Sequence, residues 1–321
     1  MNFKSLLKKL IPCKLWKIIS IILFFLRLPL KHISLCFNYI IHNRDQFEYT
    51  LSVAAMIKNE EAYIKEWIEY HKLVGVDKFI IYDNNSTDNT KKLLKPYIEN
   101  GDVDYYFYPK TQADFEKEDR KTEYWEFQAH AYNNVIKNYK NKSKWIAFID
   151  IDEFIVPVKN NSIINVINEI KNDMGRKPFV GLAVNWVMYG YSGHEITPKG
   201  LVIENFKKND GIHKNYKSIV NPRTVIQYHV HAGLHLFNIE IVNEQCKDAY
   251  QSDVKRSSIE KIRINHYFTK SYKEYVQKTI KNRAGWPGAT KYDIPEYDPN
   301  YLSNLEDNVI DRFIPLLKQR L

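Results

Sequence analysis

From residue 50 onward the chain alternates short apolar runs with helical patterns, and each run stops at a polar cluster. No other feature limits the possible folds as much. Residues 51–57, 79–82, 103–108 and 145–149 are apolar stretches short enough to be buried strands. Between the first two, Ile64, Trp67, Ile68 and His71 recur at helical spacing, with Glu60 and Glu61 in the first turn and Gly75 as a stop. A second helix is expected over 89–98, ended by Gly101, and a third over 123–139. Strands this uniformly apolar are buried on both faces, so the expected class is α/β, with a mostly parallel central sheet and helices on both faces. In such sheets ligands bind beyond the carboxyl ends of the strands. Three polar clusters fall there: Lys58-Asn59-Glu60, Asp83 to Asp88, and Asp150 to Glu153.

The second half is more elaborate. A helix is expected over 163–171, a strand over 179–187, shorter strands over 201–206, 223–230, 236–242 and 262–267, and helices over 272–283 and 304–318. With no repeat and no long linker, one domain over 50–300 followed by a C-terminal helix over 301–321 is the simplest division.

Charge sets the first 49 residues apart. The whole chain carries a net +9, but its first fifty residues hold eight basic side chains against two acidic ones. The remainder is nearly balanced, which argues against a nucleic-acid binder because such binding needs a basic face on the folded body. In the segment 1–49 the longest uncharged apolar run, residues 18–26, is shorter than the ~20 residues a membrane span requires. Basic residues beside Trp16, Phe24, Phe25 and Leu26 suit a helix lying in a membrane surface. A helix docked on the protein's own core and a short span with snorkelling flanks are the alternatives. Three scattered cysteines, Cys13, Cys36 and Cys246, form no disulfide framework, so the expected location is cytoplasmic, at the membrane surface.

The chemistry concentrates in Asp150-Ile151-Asp152. On an extended chain the two carboxylates point the same way while Ile151 packs into the sheet. Such a pair suits Mg²⁺ or Mn²⁺, which complete their shells with water and phosphate oxygens, so a diphosphate is the implied ligand.

The segments 54–60, 67–75, 82–88 and 148–154 together resemble the ordered signatures of nucleotide-sugar glycosyltransferases of the GT-A fold, with its Rossmann-like sheet. The nearest resemblance is to the family 2-like and family 92 group. Asn185-Trp186, Tyr189-Gly190, Ser192-Gly193-His194 and the stretch from Asn265 to Ser271 are similar to family 92 as well.

The resemblance implies a UDP-sugar donor and a glycan or lipid-linked acceptor. By that likeness Lys58, Asn59, Glu60, Asp83 and Asp88 would line the donor pocket, Asp150 would touch ribose or metal, and Asp152 would ligate the ion. His266 would complete the metal shell, and Lys270 would neutralise the leaving group. An inverting enzyme also needs a general base. Glu195, 43 positions beyond Asp152, is the candidate by analogy with family 2-like enzymes.

Other readings remain open at this level. His229 and His231 can ligate metal or simply hydrogen-bond their surroundings. Trp186 and Tyr189 can stack on a sugar or fill the core. Phosphohydrolases that use Asp-x-Asp carry Thr two positions on, where this chain has Phe154. A binding module of the same fold without turnover is the remaining alternative.

Overall fold

The computed structural model describes residues 46–111, 114, 126–249, 257–280 and 304–321. The membrane-associating segment expected over 1–49 therefore lies almost wholly outside the described residues. Among the described residues, no helix is long and apolar enough to cross a membrane.

The first half alternates as its sequence predicts: β1 (Tyr49–Ile57), α1 (Ile64–Leu73), β2 (Lys78–Asp83), α2 (Thr90–Glu99), β3 (Val103–Phe107), α3 (Glu126–Tyr139) and β4 (Ser143–Phe148). After these come β5 (Glu153–Pro157), α4 (Ile163–Met174), β6 (Gly181–Tyr189), α5 (Val202–Asn205), β7 (Lys208–Val220) and a small β8–β9 hairpin (Val225–Tyr228, Gly233–His235). The chain ends with β10 (Ile262–His266), α6 (Tyr272–Ile280), β11 (Leu305–Glu306) and α7 (Ile314–Lys318). The main sheet runs β3-β2-β1-β4-β7-β6-β10-β5, with β11 added at β7. Its β3-β2-β1-β4 half is parallel, and so is the β6–β10 pair. β7 runs against both β4 and β6, and β5 runs against β10.

Period-two alternation explains why both faces are covered. Leu51, Val53, Ala55 and Ile57 of β1 belong to one core with Trp67 of α1, Leu94 of α2 and Ile167 of α4. Ala54 and Met56 belong to the other, beneath Phe127, Tyr132 and Val135 of α3. Successive side chains point to opposite faces, so a strand apolar at every position needs helices on each side.

Four expectations change in the second half. Residues 201–206 form the short helix α5 rather than a strand, and 236–242 a 3₁₀ turn over Leu236–Asn238 with an isolated bridge at Val242. The 223–230 run begins with a 3₁₀ turn, Pro222–Thr224, before β8. The C-terminal helix shortens to α7, preceded by β11 and a 3₁₀ turn. These segments lie where the chain meets neighbours distant in sequence, and such contacts override local propensity.

Glu66, buried in the first turn of α1, accepts the N–H groups of Val202 (2.8 Å) and Ile203 (3.1 Å) and so holds α5 in place. Burial lifts its carboxyl pKa to about 7, against the lowering effect of those two bonds. The folded state therefore keeps this proton more tightly than the unfolded chain. Its cost is absent below the ordinary glutamate pKa, grows as pH rises and levels off above 7, on the order of 3 kcal/mol. Melting curves from pH 4 to 8 are expected to show this decline, and Glu66→Gln is expected to flatten it.

Candidate active site

The floor of the site is a turn. Glu153 donates its N–H to the Asp150 carbonyl at 3.1 Å, so Asp150-Ile151-Asp152-Glu153 folds back on itself where an extended continuation of β4 was expected. Ile149 and Ile151 still enter the core beneath, as the sequence implied, and both aspartates reach the cavity above.

Three neighbours fix this turn. Tyr267 donates its N–H to the Asp152 carbonyl at 2.8 Å. The antiparallel register of β5 and β10 sets His266 opposite Glu153. The outer edge of β5 is covered by α1: Trp67 Nε1 donates to the Glu153 carbonyl (2.9 Å), Tyr70 Oη donates to the Ile155 carbonyl (3.1 Å), and the Ile155 N–H donates to His71 Nε2 (3.3 Å). Side chains thus satisfy the edge groups that a further strand would otherwise pair. Burial pushes the His71 pKa down to about 3, so the ring is neutral; its Nδ1–H donates to the Trp67 carbonyl at 2.8 Å.

A cavity of about 590 Å³ opens above the turn. Lys58, Asn59, Glu60, Asp150, Asp152, His266 and Lys270 all line it. Lys270 Nζ lies 3.5 Å from the centroid of the Tyr63 ring and 3.9 Å from Glu60 Oε2. Asn59 and Lys270 both hold left-handed backbone angles, φ 57° and 50°, an uncommon conformation for a lysine. The Asn59 side chain faces a neighbouring loop: its Oδ1 accepts the Thr87 N–H at 2.7 Å.

Asp83, Asp88 and Glu195 are not among the residues that line the cavity. Asp83 is 1% exposed, and its carboxylate accepts the Ser86 N–H (2.8 Å) and the Tyr105 hydroxyl (2.6 Å). Asp88 accepts the N–H groups of Thr90 and Glu61 at 3.0 Å each, which ties the loops after β1 and β2 together. Glu195 is exposed, and its carbonyl accepts the Lys273 N–H at 3.1 Å. The loop through His194 and Glu195 thereby docks on the first turn of α6.

The remaining candidates divide. Trp186 lines the cavity, 4.6 Å from the His266 ring and 5.9 Å from His213 between centroids. Tyr189 is buried against Tyr267 in the core. His231 lines the cavity and donates from Nδ1 to the Tyr216 carbonyl at 3.1 Å; burial, aided by Lys217, lowers its pKa to about 4. His229 is exposed and is not among the lining residues.

Two groups escaped the sequence reading. Glu274 receives the hydroxyls of Tyr63, Thr197 and Ser271 and the Ser271 N–H. The Ser271-x-x-Glu274 capping box was the available signal for it. Lys217 had no such signal, because it sits in β7, whose charged, glycine-containing sequence shows no apolar alternation until its last residues. The pairing Ala147↔Ile219 and Ile146↔Val220, carried two residues further, brings Lys217 level with the end of β4. There its Nζ lies 2.8 Å from Asp150 Oδ2 and 3.8 Å from Glu153 Oε2.

Among the described residues, no three His, Cys, Asp or Glu side chains gather into a complete metal site. Two of them fit part of one. Cis ligands around an octahedral ion at about 2.1 Å stand roughly 3 Å apart, and Asp152 Oδ1 and His266 Nε2 are separated by 3.4 Å. Behind His266, its Nδ1 and Glu153 Oε1 are both buried without a hydrogen-bond partner, 3.9 Å apart. A metal-bound imidazole commonly turns its other N–H toward a carboxylate, and this geometry needs only a small shift to do so.

The sequence model described as glycosyltransferase family 92 matches residues 47–305, and the chain belongs to that family. A family 92 protein of Oryza sativa subsp. japonica is 26% identical over 201 residues, covering 60% of this chain and 31% of that protein. The Arabidopsis thaliana galactan beta-1,4-galactosyltransferase GALS2 is 29% identical over 126 residues, covering 38% of this chain and 23% of its own length. This chain thus spans less than a third of either relative. Among solved structures, Staphylococcus aureus TarS in complex with UDP aligns over 54% of this chain and 47% of that one, with a TM-score of 0.34 and 14% identity. Glucosyl-3-phosphoglycerate synthase from Mycobacterium tuberculosis, in complex with Mn²⁺, UDP and glucosyl-3-phosphoglycerate, aligns over 55% and 58%, at a TM-score of 0.29 and 18% identity. At such scores these two structures assign no ligand or residue role here.

Proposed function

We propose that this chain transfers a sugar from a UDP-sugar to a glycan or lipid-linked hydroxyl, with inversion at the anomeric carbon. The reading rests on one observation: the Asp152–His266 pair faces a cavity that also receives the cations of Lys58 and Lys270. Asp152 and His266 would hold Mn²⁺ or Mg²⁺ against the donor's phosphates. That ion would supply positive charge where the departing nucleoside diphosphate becomes negative. Lys270, held over the Tyr63 ring, would add a second charge toward the leaving group, and Lys58 a third from the loop after β1. The relatives named as galactan galactosyltransferases make UDP-galactose the first donor to test. Mn²⁺-dependent release of labelled sugar from it, to acceptor or water, is the expected result; none from any UDP-sugar would end the proposal.

Glu195 is retained as the proposed base on sequence grounds, although it is exposed and is not among the residues that line the cavity. Loss of a general base costs about 10²–10⁴-fold in rate. Glu195→Gln is therefore expected to lower kcat at least a hundredfold, and a variant retaining a tenth of wild-type turnover would remove Glu195 from the mechanism. Peripheral membrane contact through residues 1–49 completes the proposal. Co-sedimentation with anionic vesicles, lost on deleting residues 1–40, would support that contact, and retention would contradict it.

A further inference from the structure

We propose that the foot of the main sheet, the end opposite the cavity, is a docking surface for an anionic lipid bilayer, built on Lys137, Lys140, Lys142 and Lys144. The choice of lipid as partner rests on the reading of residues 1–49 given above, whereas the surface itself belongs to the folded body.

The four lysines fall within residues 137–144, at the end of α3 and the start of β4, and no acidic residue occurs between Glu126 and Asp150. None of them forms an ion pair among the described residues, and Lys142 Nζ lies 5.5 Å from the centroid of the Tyr139 ring. Arg176 and Lys177, both exposed, precede β6 in a loop whose Phe179 ring packs on Trp145 of β4 at 5.4 Å, so they extend the same surface. Neighbouring acids at this end are already engaged. Lys72 and Lys78 hold Asp102 and Asp104 at 2.5 and 2.8 Å, and the N–H groups of Thr50 and Leu51 donate to Asp77. Positive charge on the β4 side is therefore left uncompensated.

Position selects the partner. Parallel pairing sets Tyr49 beside Ser143, and the Tyr49 N–H donates to the Lys142 carbonyl at 3.0 Å, so the chain coming from residues 1–49 enters the fold against this loop. That segment is itself basic and does not neutralise the lysines beside it; an anionic surface satisfies both at once. Nucleic acid would also attract the lysines, but only a bilayer takes up the Trp16, Phe24 and Phe25 side chains of the adjoining segment as well. The nine residues of β1 separate the foot from the cavity by about 25–30 Å of strand. Docking through the foot thus leaves the cavity open to its substrates.

The test is sedimentation of the full chain with vesicles of phosphatidylcholine, alone or mixed with phosphatidylserine. A basic side chain at an anionic surface contributes about fivefold in affinity, so Lys137→Gln, Lys140→Gln, Lys142→Gln and Lys144→Gln together are expected to weaken binding to the mixed vesicles at least about tenfold. Arg at the same four positions is expected to bind as wild type. Gln at four exposed lysines elsewhere, Lys65, Lys92, Lys199 and Lys208, removes the same charge and is expected to cost far less. Should the fourfold foot variant misfold by circular dichroism, Lys137→Gln with Lys142→Gln, both at exposed positions, decides by a several-fold loss. Wild-type binding by a folded foot variant, an equal loss from the distant lysines, or a loss confined to duplex DNA overturns the inference and leaves the membrane reading of residues 1–49 intact. A wild type that does not sediment with the mixed vesicles overturns both.

Discussion

Asp152→Asn is expected to lower kcat/KM by about 10²–10³-fold while leaving the melting temperature nearly unchanged. The substitution is isosteric and falls on a turn held by backbone bonds from Asp150, Glu153 and Tyr267, so the fold has little reason to respond. The chemistry has every reason to. A neutral carboxamide offers a hard cation a weaker oxygen and no charge, and electrostatic stabilisation of a leaving group typically amounts to about 3–4 kcal/mol per key interaction. Steady-state transfer assays at saturating Mn²⁺, beside a thermal melt of the same preparation, separate the two effects. Turnover within a few-fold of wild type would remove Asp152 from the mechanism.

The largest expected change in stability comes from Trp67→Ala. Trp67 is fully buried, packs on Phe79 and His71, and donates to the Glu153 carbonyl at the start of the edge strand β5. Removing a buried indole costs about 3–5 kcal/mol, and the stranded carbonyl adds to it. A fall in melting temperature of about 10 °C follows for a domain of this size. Trp67→Phe keeps most of the packing and loses the N–H bond. It is expected to cost about 1–2 kcal/mol by that bond and a smaller cavity, and to reduce transfer because Glu153 and Asp152 share the loosened turn. A variant as stable as wild type would show that α1 does not hold β5.

These two residues also mark what could be read before any coordinates. Local periodicity sufficed for β1 to β4 and the helices between them, because each strand is apolar on both faces and each helix has its own stop. Asp150 and Asp152 were legible as strand-end carboxylates, and His266 and Lys270 only through the family resemblance; all four side chains reach the cavity. β7 was not legible, and with it Lys217, because a strand between two antiparallel neighbours can carry charge wherever a partner waits across the sheet. Asp83 and Asp88 illustrate the converse. Asp83 ends β2 and Asp88 follows it, where ligand contacts are common, yet their carboxylates go to the chain's own N–H and hydroxyl groups. A strand-end acid binds a ligand or caps its own loop according to which donors fold back on it, and spacing along the chain does not record that.

Calorimetric titration of UDP into the full chain, with Mn²⁺ and then with the ion chelated, tests the central claim most directly. Binding that requires Mn²⁺ and disappears in Asp152→Asn and His266→Ala is the predicted result. UDP binding of equal strength without any divalent ion, or no binding under either condition, would contradict a diphosphate held through Asp152 and His266.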